Sequence, residues 1–551
     1  MRVVRPIYLY FIAAVALAML ASGLMDLLRI ALEQASLALG DSLVIVGGDQ
    51  DVRRELSRSV ALSVVALPVW LLHWWLAERA ALRPDLAGEA ERRSLVRALF
   101  LTAVLAGSFT VSTIASVLLV ERLVVQALGG APGPDSLAAN LATLLVAGTV
   151  WAYHARVRRE DTAAVAMTGA AVWVPRLYRY AAAFTGALLL IFGLAGLLGL
   201  LVEVLVGRDA LVAPSDWWHG ALAGGVARTA VGLVAWAGHW TVSLRRLRQP
   251  GWLGADERAS ILRRTDLYLL ILVGVVGTLS LTAIFLNNAL QWLLGVTPDP
   301  SAPGQAQRLL EPLAWALPFV ATWAYHRWIL LGEARGVAEA PLQATARRIY
   351  TYGVALVGLG FGSVGVAYLL GLLIDRVLGG SRTLSAPPDW FPRQVALFAS
   401  FVLVGLGAWL WHWYAAARRV ADDPAAERGA LVRRISLFAT LAAALVALLG
   451  SLAVTLYRVL TVILGVESAR GLVSDVSAAL GVLVVAVALL AYHASALRAD
   501  LRERRPPPGA AATLPLLLTG PPGADLTAVL AELQARLPDG YALRPLPERK
   551  G

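Results

Sequence analysis

Trp70-Leu71-Leu72-His73-Trp74 returns as Trp236-Ala237-Gly238-His239-Trp240 and again as Trp409-Leu410-Trp411-His412-Trp413. A second mark alternates with it: Ala152-Tyr153-His154, Ala324-Tyr325-His326 and Ala491-Tyr492-His493. Six of the seven histidines therefore recur at near-regular intervals of some eighty-odd positions, each closing an apolar stretch. Self-similarity at a fixed period is the signature of internal repeats. Because two marks alternate, the repeating unit is a pair of them. Tyr8, Tyr178 and Tyr350, near-evenly spaced, set its length at close to a third of the chain.

The stretches that carry the marks are long and apolar. The chain of 551 residues is 58% hydrophobic and only 15% charged, with a mean hydropathy of +0.67, a balance that belongs to an integral membrane protein. Segments such as Tyr180–Val202 and Leu437–Leu456 match the roughly 20 residues that a helix needs to cross about 30 Å of hydrocarbon. Twelve such segments predict an all-α integral membrane protein of six hairpins. These pair into three tandem four-helix units of parallel orientation, spanning residues 1–160, 161–335 and 336–505. The run Arg97–Gly129 predicts a first helix in its hairpin that is longer than the hydrocarbon is thick.

After a Pro-rich linker at 506–512, residues 513–551 read as a small cytoplasmic β-α-β tail. Its strands are expected at Thr513–Leu518 and Tyr541–Leu543, with a helix over Asp525–Leu537. At the other end, the apolar run to Leu20 reads as the first helix rather than a secretory signal, because its Arg5 to Tyr10 opening recurs at Arg176–Tyr180 and Arg348–Tyr352.

The formal charge of +11 is carried by arginine, Lys550 being the only lysine, and there is no cysteine. Disulfides, thiolate metal sites, cysteine nucleophiles and an intramembrane Schiff-base lysine are thereby excluded. Four to six arginines follow each of the first five marked histidines, as in Arg156, Arg158, Arg159, Arg176 and Arg179, whereas the alternate connections are poorer in arginine. Arginine-rich loops stay cytoplasmic, which predicts both termini inside. The expected partner is the lipid bilayer and not a nucleic acid; protein partners are left open.

On these helix-end motifs, repeated through about residues 1–500, the chain resembles an uncharacterised bacterial family of four-helix membrane units, domain of unknown function 5671. The resemblance implies a multipass bacterial inner-membrane protein and brings no activity with it.

The histidines admit three readings, an aromatic belt, a haem site, and a proton relay or pH sensor. Trp70, His73 and Trp74 share one helix face, and an aromatic belt at the headgroup level accounts for them. Paired histidines on facing helices of a bundle are also the arrangement that ligates a b-type haem, which makes His73 with His154, His239 with His326 and His412 with His493 candidate ligands; no other cofactor and no metal is expected. A second candidate is Arg228, eleven positions before His239 and so near mid-membrane, with Glu203 on the preceding helix as a partner. A third is the set of acids Glu33, Glu203 and Asp375, each at the same offset from the first tyrosine of its unit, which puts one carboxylate per unit at the outer helix ends.

Gly360-Phe361-Gly362-Ser363-Val364-Gly365 satisfies a dinucleotide-binding pattern but lies within an apolar helix, and so reads as a packing stripe. No Walker motif, zincin pair or nucleophile elbow occurs, and the chain is not expected to be an enzyme. Two function classes remain: a membrane scaffold or accessory/sensor protein, and a pseudo-threefold transporter or channel for a small solute or ion. A continuous polar cavity between units would distinguish the second from the first.

Overall fold

A computed structural model describes residues 4–38, 49–130, 137–206, 216–296, 302–334, 339, 341–379, 389–502 and 525–537. Every regular element among them is a helix. The first set is α1 (Val4–Ala38), α2 (Asp49–Ala81), the short α3 (Leu86–Arg92), α4 (Leu95–Ala127) and α5 (Leu137–Ala164). The second is α6 (Ala170–Val206), α7 (Trp217–Leu247), the short α8 (Trp252–Ala259), α9 (Ile261–Leu293) and α10 (Ala302–Ala334). The third is α11 (Pro341–Leu378), α12 (Trp390–Asp422), the short α13 (Pro424–Gly429), α14 (Leu431–Ile463) and α15 (Leu472–Arg502), after which α16 (Leu526–Ala535) follows.

Eleven of these helices are long and apolar enough to cross a membrane. In hydrocarbon a helix satisfies its own backbone N–H and C=O groups, which is why such a sequence resolves into helices alone. The twelfth expected span, α10, has 33 residues but falls short in apolarity. Glu311, Pro312, Pro318 and the Trp323–His326 segment dilute its aliphatic residues.

The third long helix of each set has one length: α4, α9 and α14 are each 33 residues. Each stops in the same way, on a glycine in the left-handed region, Gly129 (φ 76°), Gly295 (φ 75°) and Gly465 (φ 71°). The next residue's N–H then returns to a carbonyl five positions back, as in Val296 to Gln291 and Val466 to Thr461, which satisfies carbonyls that the helix end would leave open. This common frame corrects one sequence-level equivalence. Gly107, Gly277 and Gly450, each followed by Ser or Thr, occupy the thirteenth, seventeenth and twentieth positions of their helices, and so are not structural counterparts.

Within a set, the first helix is the hub. α1 packs on α2, α5 and α4, and α6 packs on α7, α10 and α9. Glycine sets the closest approaches. A Cβ on Gly405 of α12 would collide with the backbone of Gly362 on α11, and one on Gly232 of α7 would collide with the backbone at Leu190 on α6. Gly365 likewise faces the backbone of α12, so the glycine run at 360–365 serves helix packing.

Successive sets are joined through the third helix of one and the first hairpin of the next. α4 packs on α7 and α6, and α9 packs on α12 and α11. Among the described residues no comparable packing leads from α14 back to α1 or α2.

By its contacts the chain divides into two compact units, Met1–His493 and Ala494–Gly551. In the second, the Asp525 carboxylate accepts from the backbone N–H of Thr527 and Ala528 and caps α16. The helix expected over 525–537 is thus present, whereas the strands expected at Thr513–Leu518 and Tyr541–Leu543 lie outside the described residues.

Candidate functional site

The alternating histidine marks converge, set by set, on one cluster. In the first set the Trp74 indole donates to the Tyr153 hydroxyl (2.7 Å), in the second Trp240 donates to Tyr325 (2.9 Å), and in the third Trp413 donates to Tyr492 (2.6 Å). Against each indole lies the next histidine ring: His154 at 5.4 Å from Trp74, His326 at 5.8 Å from Trp240 and His493 at 5.6 Å from Trp413. On each indole also lies an arginine, Arg97, Arg263 and Arg433, at 5.7, 5.0 and 5.6 Å. These arginines hold the third position of α4, α9 and α14. A buried guanidinium needs counter-charge, and the first two sets provide it close by.

Arg97, 1% exposed, donates from Nε and Nη2 to both Asp161 carboxylate oxygens (2.7 and 3.1 Å), from Nη2 to Glu78 (2.7 Å) and from Nη1 to the Tyr10 hydroxyl (3.2 Å). Tyr10 in turn donates to Glu91 at 2.9 Å. In the second set Arg263 is held by Glu333, and the Tyr180 hydroxyl donates to Glu257. In the third, Arg433 donates to the Tyr352 hydroxyl at 3.1 Å.

The acids of this cluster carry a sequence signal that the histidine marks overshadow. Asp161 and Glu333 each lie seven positions after their histidine, and Glu91, Glu257 and Glu427 each lie six before their arginine. Only the packing of four helices reveals that the arginines among the loop-forming ones are core residues.

Glu257 and Glu427 sit in the short helices α8 and α13, outside the long apolar ones. Burial by itself would raise both carboxyls. Arg179, Tyr180 and Arg176 outweigh it at Glu257, and Arg348 with Arg347 does so at Glu427, so both are held below the usual glutamate range.

All six marked histidines lie with Nδ1 against the carbonyl four positions earlier, at 2.8 to 3.0 Å. A carbonyl only accepts, so Nδ1 carries the proton and Nε2 of a neutral ring is an acceptor. His239 Nε2 accepts from Tyr178 and His412 Nε2 from Tyr350, both at 3.2 Å, and Tyr8 meets His73 edge-on at 5.7 Å. The first tyrosine of each unit is thus the companion of the first histidine. The Nε2 atoms of His154 and His326 are buried without a hydrogen-bond partner.

These surroundings do not fit a bis-histidine haem. His154 is enclosed by Trp74, Tyr153 and Phe100, and His326 by Trp240 and Tyr325, at ring-centroid distances of 5.0 to 6.0 Å. Aromatic rings thus occupy the faces of those two histidines, and in two sets the other histidine is taken by a tyrosine. Among the described residues no group of three or more His, Asp or Glu side chains could hold a metal ion.

The second set departs from the first at one telling position. Asp266 occupies the place of Phe100, with Ser436 in the third set. It is 4% exposed, and its Oδ2 has no partner.

Arg228 and Glu203 form no ion pair. The Arg228 guanidinium instead lies along Gly224 and Gly196, where small residues leave room for it. Glu33 binds Arg29 one turn earlier at 2.9 Å, while Asp375 has a buried Oδ1 without a partner. Glu33, Glu203 and Asp375 thus share a place in the repeat but no common chemistry.

Fold and cluster together define a multipass membrane protein built from a triplicated helical unit whose helix ends are locked by a tyrosine-arginine-carboxylate network. The family model described as Domain of unknown function (DUF5671) matches residues 6–152, 176–343 and 348–517, and the chain belongs to that family as three tandem copies. No curated protein and no solved structure matches it.

Proposed function

We propose that the protein is a scaffold or accessory protein of the bacterial inner membrane, with twelve spans, parallel units and both termini on the arginine-bearing cytoplasmic side. The observation that carries this reading is the sequential packing of the sets, α4 onto α6 and α7 and α9 onto α11 and α12, with no return from α14 to α1 or α2 among the described residues. A pseudo-threefold pathway around an axis would call for such a return. Two further features support it. The cavity of about 430 Å³ inside the third set, between α11, α14 and α15, is lined by Leu, Val, Ala and Gly, with Ser363, Thr440 and Tyr368 as its hydroxyl-bearing residues. The Arg97 guanidinium is satisfied by Asp161, Glu78 and Tyr10 and offers no free donor face to a pathway.

The alternative, a transporter or channel, is tested directly. Proteoliposomes loaded with pH- and potential-sensitive dyes should retain their gradients as well as protein-free vesicles do. Cross-linking in the native membrane should yield a reproducible set of neighbouring membrane proteins. A saturable flux that Arg228→Leu abolishes would replace this reading with the transport one.

A further inference from the structure

Between the second and third sets, at their arginine-bearing helix ends, lies a cavity of about 470 Å³. Arg264, Arg327, Arg347, Arg348 and Arg419 line it, opposed by the carboxylates of Glu339 and Glu427, for a formal charge of +3. The acids are already committed: Glu427 to Arg347 and Arg348, Glu339 to Arg347. Arg264, Arg327 and Arg419 form no ion pair among the described residues. Arg264 is 8% exposed, and its Nε is buried with no hydrogen-bond partner. A guanidinium withdrawn from water without counter-charge is costly, so its presence here calls for an anion.

The repeat itself does not demand these residues. In the first set Ala98, Thr102 and Ala155 stand where the second has Arg264, Tyr268 and Arg327. In the third, Arg434 at the same place is bonded to the Gly429 carbonyl at 2.9 Å. Arg264 and Arg327 are thus particular to this junction. Tyr268, stacked on Tyr350 at 5.5 Å, adds a hydroxyl to it.

Guanidinium groups offer paired, coplanar N–H donors that match the oxygens of a phosphate, and the cavity is in the size range of small-ligand sites. We infer that it binds a phosphate-bearing anion, either the headgroup of an acidic phospholipid or a soluble phosphate. The inference stands independently of the scaffold reading, since a transporter could hold such an anion equally well.

The test uses the full-length protein in zwitterionic detergent, with melting followed by tryptophan fluorescence. It is titrated in one arm with inorganic phosphate and in the other with phosphatidylglycerol in mixed micelles, phosphatidylcholine serving as the lipid control. At least one arm should raise the melting temperature saturably. Arg264→Ala with Arg327→Ala should weaken the apparent affinity about tenfold or more, as loss of charged hydrogen bonds does, whereas the exposed Arg156→Ala should not. A response to phosphatidylglycerol alone assigns a lipid source, and a response to inorganic phosphate assigns the phosphate group itself. Should the double variant not fold, Arg327→Ala alone, at a half-buried position, takes its place. A wild-type protein indifferent to both probes, or a variant that binds as tightly as wild type, overturns the proposal.

Discussion

Arg97 gathers three helices onto one guanidinium: Tyr10 from α1, Glu78 from α2 and Asp161 from α5. The net stability of such a buried network is small compared with its gross energy, since each charge has left water, but removing one partner strands the others. Arg97→Ala should therefore lower stability in detergent by about 3–5 kcal/mol. Arg156→Ala, which removes an exposed, solvent-screened pair with Glu160, should leave stability essentially unchanged. Thermal unfolding read by tryptophan fluorescence compares the two, and equal effects would refute the central place given to Arg97. In sequence, Arg97 is one arginine among five that follow His73, and a positive charge beside a membrane helix reads as topology. Its burial follows from the approach of three helices far apart in the chain, which no local pattern encodes.

At the scale of elements, helix contact is set by where backbones come together. Gly405 meets the backbone of Gly362 where α12 crosses α11, whereas Gly407, two positions on, has open space around its Cα. Gly405→Ala should destabilise by about 1–3 kcal/mol, because the collision is with backbone and no side chain can move aside. Gly407→Ala should leave stability unchanged or raise it by roughly 0.5–1 kcal/mol through helix propensity. Unfolding in mixed micelles measures both, and a harmless Gly405→Ala would mean that the two helices can part at little cost. The glycine stripe was legible as packing from its apolar context, but which glycines face a partner was not: Gly360 is open, while Gly362 and Gly365 are in contact. Helix lengths were legible to within a few residues, as at α4, since the Gly129 stop is a local feature.

For the whole molecule, Glu257 and Glu427 tie the short helices α8 and α13 to the arginines of α6 and α11. Their carboxyls are held below the ordinary value of about 4.3, so the stabilisation they supply is complete above that pH. It should be lost as pH falls through their lowered folded-state values. Melting temperatures measured from pH 7 down to about 3 should drop in that acid range, and a Glu257→Gln, Glu427→Gln double variant should be less stable at neutral pH with a flatter acid limb. An identical pH profile in the variant would remove these two groups from the account. The sequence by itself determined the triplication, the all-helical membrane architecture, the apolar spans and the alternation of the two histidine marks. Each of these follows from composition, period or a local stop signal. Only the tertiary structure decided that the third helix of one set packs on the first hairpin of the next, that each first tyrosine meets the first histidine, and that arginines resembling loop charges are core anchors or line a cationic cavity. Those outcomes depend on which helix faces meet across long stretches of intervening chain, and a repeat constrains such meetings within a unit while leaving the junctions between units to particular substitutions such as Arg264 and Arg327.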